Sequence, residues 1–330
     1  MTTSTTVASA ARRFEYLPAG LFGSVMGLTG LSLVWRSLAS HHHAPAWIAD
    51  ALAVIAVAAF LLLTAAYVLK MATAADAVRA EFGHPVAVNM FATFWVSLLL
   101  LPLVLAPFNL LLARVLWVIG AVGMTVLAWH IVSRWMTIQQ EPENATPAWL
   151  LPVVGMLDMP LAVPALGWLP QLHSVMVAGL AIGLFVAIPV FTLVFARLIF
   201  EAPLPAPLQP TLLVLVAPTA VGMSSYVATT GSVDLFAMSL YAVTLFLLTV
   251  VLGRLRHLRS CCPFTVGWWA VSFPLAACAI AALRFADARP GWATEVIAVA
   301  LAALCTVVIV WLLGRTLFGI ARGELRELGA

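Results

Sequence analysis

The chain has 330 residues, of which 64% are hydrophobic and 9% charged, with a formal net charge of +3. A soluble domain carries roughly 25% charged residues, so this composition excludes a soluble protein and describes one that sits in lipid. The small positive charge comes from arginines scattered at the ends of apolar runs rather than from a basic patch with interleaved aromatics, which excludes a nucleic-acid partner.

Ten apolar runs long enough to span a bilayer follow one another at 17–38, 47–69, 87–106, 108–133, 147–169, 172–196, 209–230, 234–253, 263–285 and 292–319. Helices and closed barrels are the structures that satisfy backbone polarity in lipid, and the alternation of a barrel strand is missing, so the expected class is all-α integral membrane. The first run is span-length and reads as a retained helix rather than a signal peptide. The expected organisation is a tail over 1–16, a transmembrane domain over 17–319 and a tail over 320–330, both tails cytoplasmic.

That orientation follows from the basic residues. With the N-terminus inside, twelve fall on the inner side: Arg12, Arg13, Lys70, Arg79, Arg134, Arg197, Arg254, Arg256, Arg259, Arg315, Arg322 and Arg326. Three fall outside, Arg36, Arg284 and Arg289, and Arg114 lies within the fourth span, from which it can snorkel to the outer interface. The loops hold no soluble domain and no phosphate-binding motif, so ATP does not drive this protein. No cluster of nucleophiles, acids and bases gathers at one depth, so the chain does not read as an enzyme. No cofactor or metal is expected. The run His41-His42-His43 lacks a second ligand cluster and reads as a solvated loop. Of the four cysteines, Cys278 and Cys305 read as small buried hydrophobes, and Cys261-Cys262 lie at a membrane edge.

Helix breakers fall mainly in the odd spans, with Pro189 of the sixth span as the main exception. The first carries Gly20, Gly23, Gly27 and Gly30, the third Pro102, the fifth Pro152, Gly155, Pro160, Pro164 and Gly167, the seventh Pro218 and Gly222, and the ninth Gly267 and Pro274. Breakers are tolerated at membrane depth where freed backbone faces protein or a water-filled cavity. The odd spans are therefore expected inside and the even ones outside, as five hairpins around an axis, with Gly23, Gly27, Pro102, Pro160, Pro218 and Pro274 as kinks of the inner helices. Close packing of small residues is the alternative. In Trp268-Trp269-Ala270-Val271-Ser272-Phe273-Pro274 a large ring precedes a mid-membrane proline, which pushes Phe273 away from helical geometry. Phe273 is the candidate gate.

Asp158 is the one carboxylate clearly within a span. An ionisable group there is a functional candidate, and Asp158 reads either as a capping residue satisfied by backbone freed at Pro160 or as a coupling group. The inner layer otherwise looks free of charge. Broken helix ends supply weak positive fields that favour small anions without trapping them.

Several segments together resemble the tellurite-resistance/dicarboxylate transporter family, which includes TehA-like proteins and the slow anion channels of plant guard cells. They are Pro18-Ala19-Gly20-Leu21-Phe22-Gly23, Gly27-Leu28-Thr29-Gly30-Leu31, Arg79-Ala80-Glu81-Phe82-Gly83-His84-Pro85-Val86, Thr146-Pro147-Ala148-Trp149-Leu150-Leu151-Pro152, Ala217-Pro218 with Ser225-Tyr226, Gly231-Ser232-Val233-Asp234, and Trp268 to Pro274. The resemblance covers about Phe14 to Gly319. It implies ten helices as five hairpins in a quasi-fivefold ring around a central pore, a homotrimer, and occlusion of the pore by Phe273. It further implies an anion channel or facilitator for small inorganic or organic anions in a bacterial inner membrane, in contact with lipid. The alternative is a proton-coupled carrier for C4-dicarboxylates, sulfite or tellurite-related oxyanions, with Asp158 as the coupling group.

Overall fold

The computed structural model describes residues 15–255 and 264–324. The Cys261-Cys262 pair, nearly all of the 1–16 tail and most of the 320–330 tail lie outside the described residues. Among the described residues there are eleven α-helices and no strand. They are α1 (Gly23–His41), α2 (Ala46–Thr73), α3 (Ala75–Gly83), α4 (Ala92–Leu105), α5 (Leu110–Thr137) and α6 (Leu151–Ala162). The remainder are α7 (Leu169–Phe200), α8 (Ala217–Thr230), α9 (Leu235–Leu255), α10 (Ser272–Ala288) and α11 (Trp292–Ala321).

Nine segments among the described residues are long and apolar enough to cross a membrane, and they fall on nine of the ten expected spans. The fifth is shorter than expected. It is helical over Pro147–Ala162 and then turns through 163–168 rather than continuing to 169. Pro164 has no N–H to continue the helical ladder, and the turn is completed by Gly167 at φ 69°. The short helix α3 was not anticipated.

Burial separates the spans into two classes. In Ala19–His41, Ala87–Leu105, Ala206–Thr230 and Val266–Ala288, 67–83% of the most apolar window is buried; in α2, α5, α7, α9 and α11 the share is 17–33%. The buried class is the one rich in glycine and proline. The exposed class turns large apolar side chains outward, among them Leu62, Phe185 and Val307, a surface suited to lipid. Each of α1, α4, α6, α8 and α10 packs on the helix that follows it in the chain. The five also pack on one another in order, α1 on α4, α4 on α6, α6 on α8, α8 on α10, and α10 back on α1.

Every one of those five helices is preceded without a gap by a tighter 3-10 segment: Ala19–Phe22, Ala87–Phe91, Pro147–Leu150, Ala206–Val216 and Val266–Val271. This corrects the reading of the ninth span. Phe273 is helical, the second residue of α10, and Pro274 is the third. The change of geometry comes at Val271–Ser272. Proline is tolerated in the first turn of a helix because the N–H it lacks has no α-helical partner there. Pro152 and Pro218 occupy the second positions of α6 and α8 for the same reason.

Candidate functional site: two cavities that meet at Phe273

The five inner segments line two cavities, and all five run in the same direction between them. The first cavity, with about 950 Å³ of free space, is lined by their N-terminal halves, including Gly23, Ala92, Leu151, Ala217 and Pro274. The second, with about 1080 Å³, is lined by their C-terminal halves, including Gly30, Leu103, Leu161, Ser224 and Arg284. Among the described residues, Phe273 is the one that lines both. Its ring is buried and stands between the two spaces.

The sequence-derived candidates fall at distinct places. Gly23 begins α1 where the 3-10 segment ends, and Pro218 and Pro274 lie just inside similar junctions. Pro102 and Pro160 lie inside α4 and α6, near the ends of those helices at Leu105 and Ala162. Gly27 lies within the unbroken helix α1. A Cβ there would collide with Ser272 Oγ, and one on Gly30 would come within 2.6 Å of Ala276 Cβ. Close packing of α1 on α10 accounts for a glycine at Gly27 and at Gly30.

Asp158 lines the first cavity and is fully buried, and neither carboxylate oxygen has a hydrogen-bond partner among the described residues. The expectation that backbone freed at Pro160 would satisfy it does not hold. What Pro160 frees is the carbonyl of Met156, an acceptor that has no proton to give a carboxylate, and Asp158 is left unpartnered beside the cavity. Arg114 does not end in open solvent. Its Nε and Nη2 donate to the carbonyl of Leu166 at 3.1 and 2.8 Å, and its guanidinium lies 5.0 Å from the Trp168 ring. His41 and His42 stand 3.5 Å from Asp287 and Glu295, tying the loop after α1 to the last hairpin. Among the described residues no group of three or more His, Cys, Asp and Glu could hold a metal ion.

Two charged features escaped the sequence reading, which took the inner layer as free of charge. Glu81 of α3 lines the first cavity. Its Oε1 accepts from Ala19 N–H at 2.6 Å, and its Oε2 accepts from Lys70 Nζ at 2.7 Å and from Tyr67 Oη at 3.0 Å. Lys70 is nearly buried and also donates to the carbonyl of Leu17 at 2.6 Å. This network fixes the start of the first inner segment to α2 and α3. In the second cavity Arg284 of α10 and Arg36 of α1 line the wall. Arg284 Nη1 donates to the carbonyl of Ser224 at 2.9 Å. Both groups sit where only tertiary contacts bring them inward; the positional signal in the chain was limited to basic or acidic residues near span ends.

An all-helical, multi-pass membrane protein in which two cavities converge on one aromatic ring is built as channels and transporters are. The chain belongs to the voltage-dependent anion channel family, which matches residues 16–317. Among its relatives, the S-type anion channel SLAH3 of Arabidopsis thaliana is 30% identical over 308 residues, 91% of this chain and 48% of the plant protein. The guard cell S-type anion channel SLAC1 of the same plant is 25% identical over 91% of this chain and 55% of its own length. The tellurite resistance protein TehA homolog of Haemophilus influenzae is 29% identical, covering 82% of this chain and 81% of that protein. The chain thus spans about half the length of these two plant channels.

Proposed function

We propose that this protein is a membrane channel or facilitator for small anions and that Phe273 is its gate. The observation that carries this reading is the convergence of the two cavities on the Phe273 ring. The five inner segments enter the first cavity with their N-terminal ends, the positive ends of their backbone dipoles, which favours anions over cations. The cyclic packing of α1, α4, α6, α8 and α10 supports a quasi-fivefold ring of five hairpins around a central pore, with Pro147–Ala162 and the turn after it completing a tenth crossing. The charge bias of the loops supports cytoplasmic termini, with the first cavity on that side. The family resemblance adds assembly as a homotrimer and residence in a bacterial inner membrane.

The test is anion current through the purified protein in planar bilayers or through oocytes expressing it. A barrier lowered by only about 1.4 kcal/mol passes ions about tenfold faster, and Phe273→Ala, which removes the whole ring, is expected to exceed that. An unchanged current from a correctly folded Phe273→Ala protein would overturn the gate. The rival reading is a proton-coupled carrier of C4-dicarboxylates, sulfite or tellurite-related oxyanions. It draws on Asp158, whose unpartnered carboxylate in the first cavity offers a place for a proton to be taken up and released.

A further inference from the structure

The 3-10 segment Ala206–Val216 divides its side chains between two spaces. A 3-10 turn takes three residues, so positions three apart stack in line. Leu208, Thr211, Val214 and, at the start of α8, Ala217 line the first cavity. The neighbouring row, Gln209, Leu212, Leu215 and Pro218, lines the outer side, where α7 and α9 both pack on α8 and leave a groove between them. The groove has two stretches, with about 930 and about 1030 Å³ of free space, joined at Phe191, Leu215 and Leu247, which line both. Apart from Thr192 and Thr219, the larger stretch is walled by apolar side chains such as Phe185, Ile188 and Val243. The smaller one reaches the C-terminal ends of α7 and α9, where Arg197 and Arg254 line it with Gln209 and Glu201.

Arg197 is buried, its Nη1 is enclosed with no hydrogen-bond partner among the described residues, and its Nε reaches the carbonyl of Glu143 only at 3.4 Å. A guanidinium held this way calls for negative charge nearby. Glu201, one turn further along α7, offsets part of that charge, but among the described residues no carboxylate comes within ion-pair distance of Arg197 or Arg254. Two guanidiniums against one carboxylate leave this end of the groove positive. We propose that the groove between α7 and α9 binds a phospholipid with a singly negative headgroup, an acyl chain lying along Phe185, Phe191 and Leu247 and the phosphate resting at Arg197 and Arg254. The groove lies between outer helices that turn apolar side chains to lipid, so an acyl chain enters it from the side. Basic pockets between transmembrane helices on the cytoplasmic side hold acidic headgroups, and the arginine bias of the loops favours that side for these two helix ends. A zwitterionic headgroup brings a cation of its own towards the arginines and gains less. The seated chain presses on Leu212, Leu215 and Pro218, the back of the segment whose other row lines the first cavity, and so braces that inner segment. The site stands whether or not Phe273 is a gate.

The test titrates the purified full-length protein, in micelles of an uncharged detergent, with phosphatidylglycerol or with phosphatidylcholine, reading thermal stability and the mass of the intact complex. Phosphatidylglycerol is expected to raise stability saturably, because a ligand that binds the folded state alone stabilises it, and to remain on the protein in the mass spectrum. Arg254→Gln is expected to raise the half-saturating phosphatidylglycerol about fivefold, the worth of one basic residue beside an acidic headgroup, and to leave phosphatidylcholine binding unchanged. Arg197→Gln is expected to raise it about tenfold, since a buried charge-assisted contact is lost. If Arg197→Gln does not fold, Arg254→Gln and Glu201→Gln carry the test. Glu201→Gln removes the opposing charge and is expected to lower the half-saturating phosphatidylglycerol about twofold, a gain that a damaged fold does not produce. Val243→Trp fills the apolar stretch from an exposed position and is expected to weaken binding of both lipids. Equal stabilisation by the two lipids, or phosphatidylglycerol binding identical to wild type in folded Arg254→Gln and Glu201→Gln, overturns the site. A complex that loses protein subunits in Val243→Trp, with no phosphatidylglycerol shift in wild type, overturns it as well and assigns the groove to a second copy of the chain.

Discussion

Ser272 occupies the space that a side chain on Gly27 would need. Its Oγ donates to the carbonyls of Trp269 at 2.6 Å and Gly23 at 3.2 Å, so the hydroxyl joins the start of α10 to the start of α1. Phe273 is the next residue along, so the α1–α10 contact sets where its ring sits. Gly27→Ala forces the two helices apart. Overpacking of this kind costs about 1–3 kcal/mol, to be read as lost thermal stability in detergent. Ser272→Gly removes both the hydroxyl and the Cβ that a new methyl meets. The double variant Gly27→Ala/Ser272→Gly is therefore expected to lose less stability than the sum of the two single changes. Additive losses would show that the two positions do not compete for one space.

Lys70 and Glu81 behave as a buried pair, with side chains 4% and 12% exposed. Glu81→Gln leaves the ammonium of Lys70 without its carboxylate, and breaking such a pair typically costs about 3–5 kcal/mol. The expected outcome is a large drop in thermal stability together with a loosened first inner segment, because Ala19 N–H loses the charge on its acceptor. Replacing both partners by apolar residues, Lys70→Met/Glu81→Leu, is expected to be milder than Glu81→Gln alone, since no unpaired charge remains. Thermal unfolding of the three proteins under one set of conditions decides it.

These two relationships show what a linear reading reaches. Run lengths located nine of the spans because hydrocarbon thickness dictates how many apolar residues a crossing takes. The glycines and prolines told inner helices from outer ones, because outer helices gain nothing from breaks. The 3-10 lead-ins were not legible. A 3-10 turn and an α turn use the same apolar residues, so Val266–Val271 looks in sequence like more of α10. The position of Pro274 was misjudged for that reason. The reason no side chain fits at Gly27 was not legible either, because it depends on Ser272, 245 positions along the chain (272 − 27 = 245). Glu81, Arg284 and Asp158 each read as a charge near or within a span. Whether such a charge is paired is settled by neighbours distant in sequence, and it differs in all three cases.

Asp234, in the loop between α8 and α9, offers a measurable titration. Its carboxylate accepts a hydrogen bond from Tyr226 Oη at 2.5 Å and from the N–H groups of Ala237 and Phe236 at 3.1 and 3.0 Å, closing the first turn of α9. The Tyr226 hydroxyl, and after it the Ala237 N–H, hold this carboxyl below its ordinary range. A group whose folded pKa is lowered contributes stability at pH above its unfolded value, and that contribution is lost as pH falls through the lowered one. Acidification therefore loosens this corner. Tyr226→Phe is expected to move the Asp234 midpoint upward, short of the ordinary value because both backbone donors remain. Carboxyl carbon-13 NMR of the labelled protein reads the shift, and an unmoved midpoint would show that the hydroxyl does not control it.

Asp158 separates the channel reading from its rival. If flow is passive, the reversal potential of Phe273→Ala follows the anion gradient alone, and an imposed pH gradient leaves it in place. Asp158→Asn removes the ionisable proton while keeping shape, so in the passive case the Phe273→Ala/Asp158→Asn protein keeps the same reversal potential. Coupling predicts otherwise. Each tenfold proton gradient stores about 1.4 kcal/mol, so a proton moved with each anion displaces the reversal potential measurably while Asp158 is present, and the displacement disappears in Asp158→Asn. The channel reading commits to no displacement in either protein. A shift with pH that Asp158→Asn abolishes would transfer the function to the proton-coupled carrier and make Asp158, rather than Phe273, the residue on which transport turns.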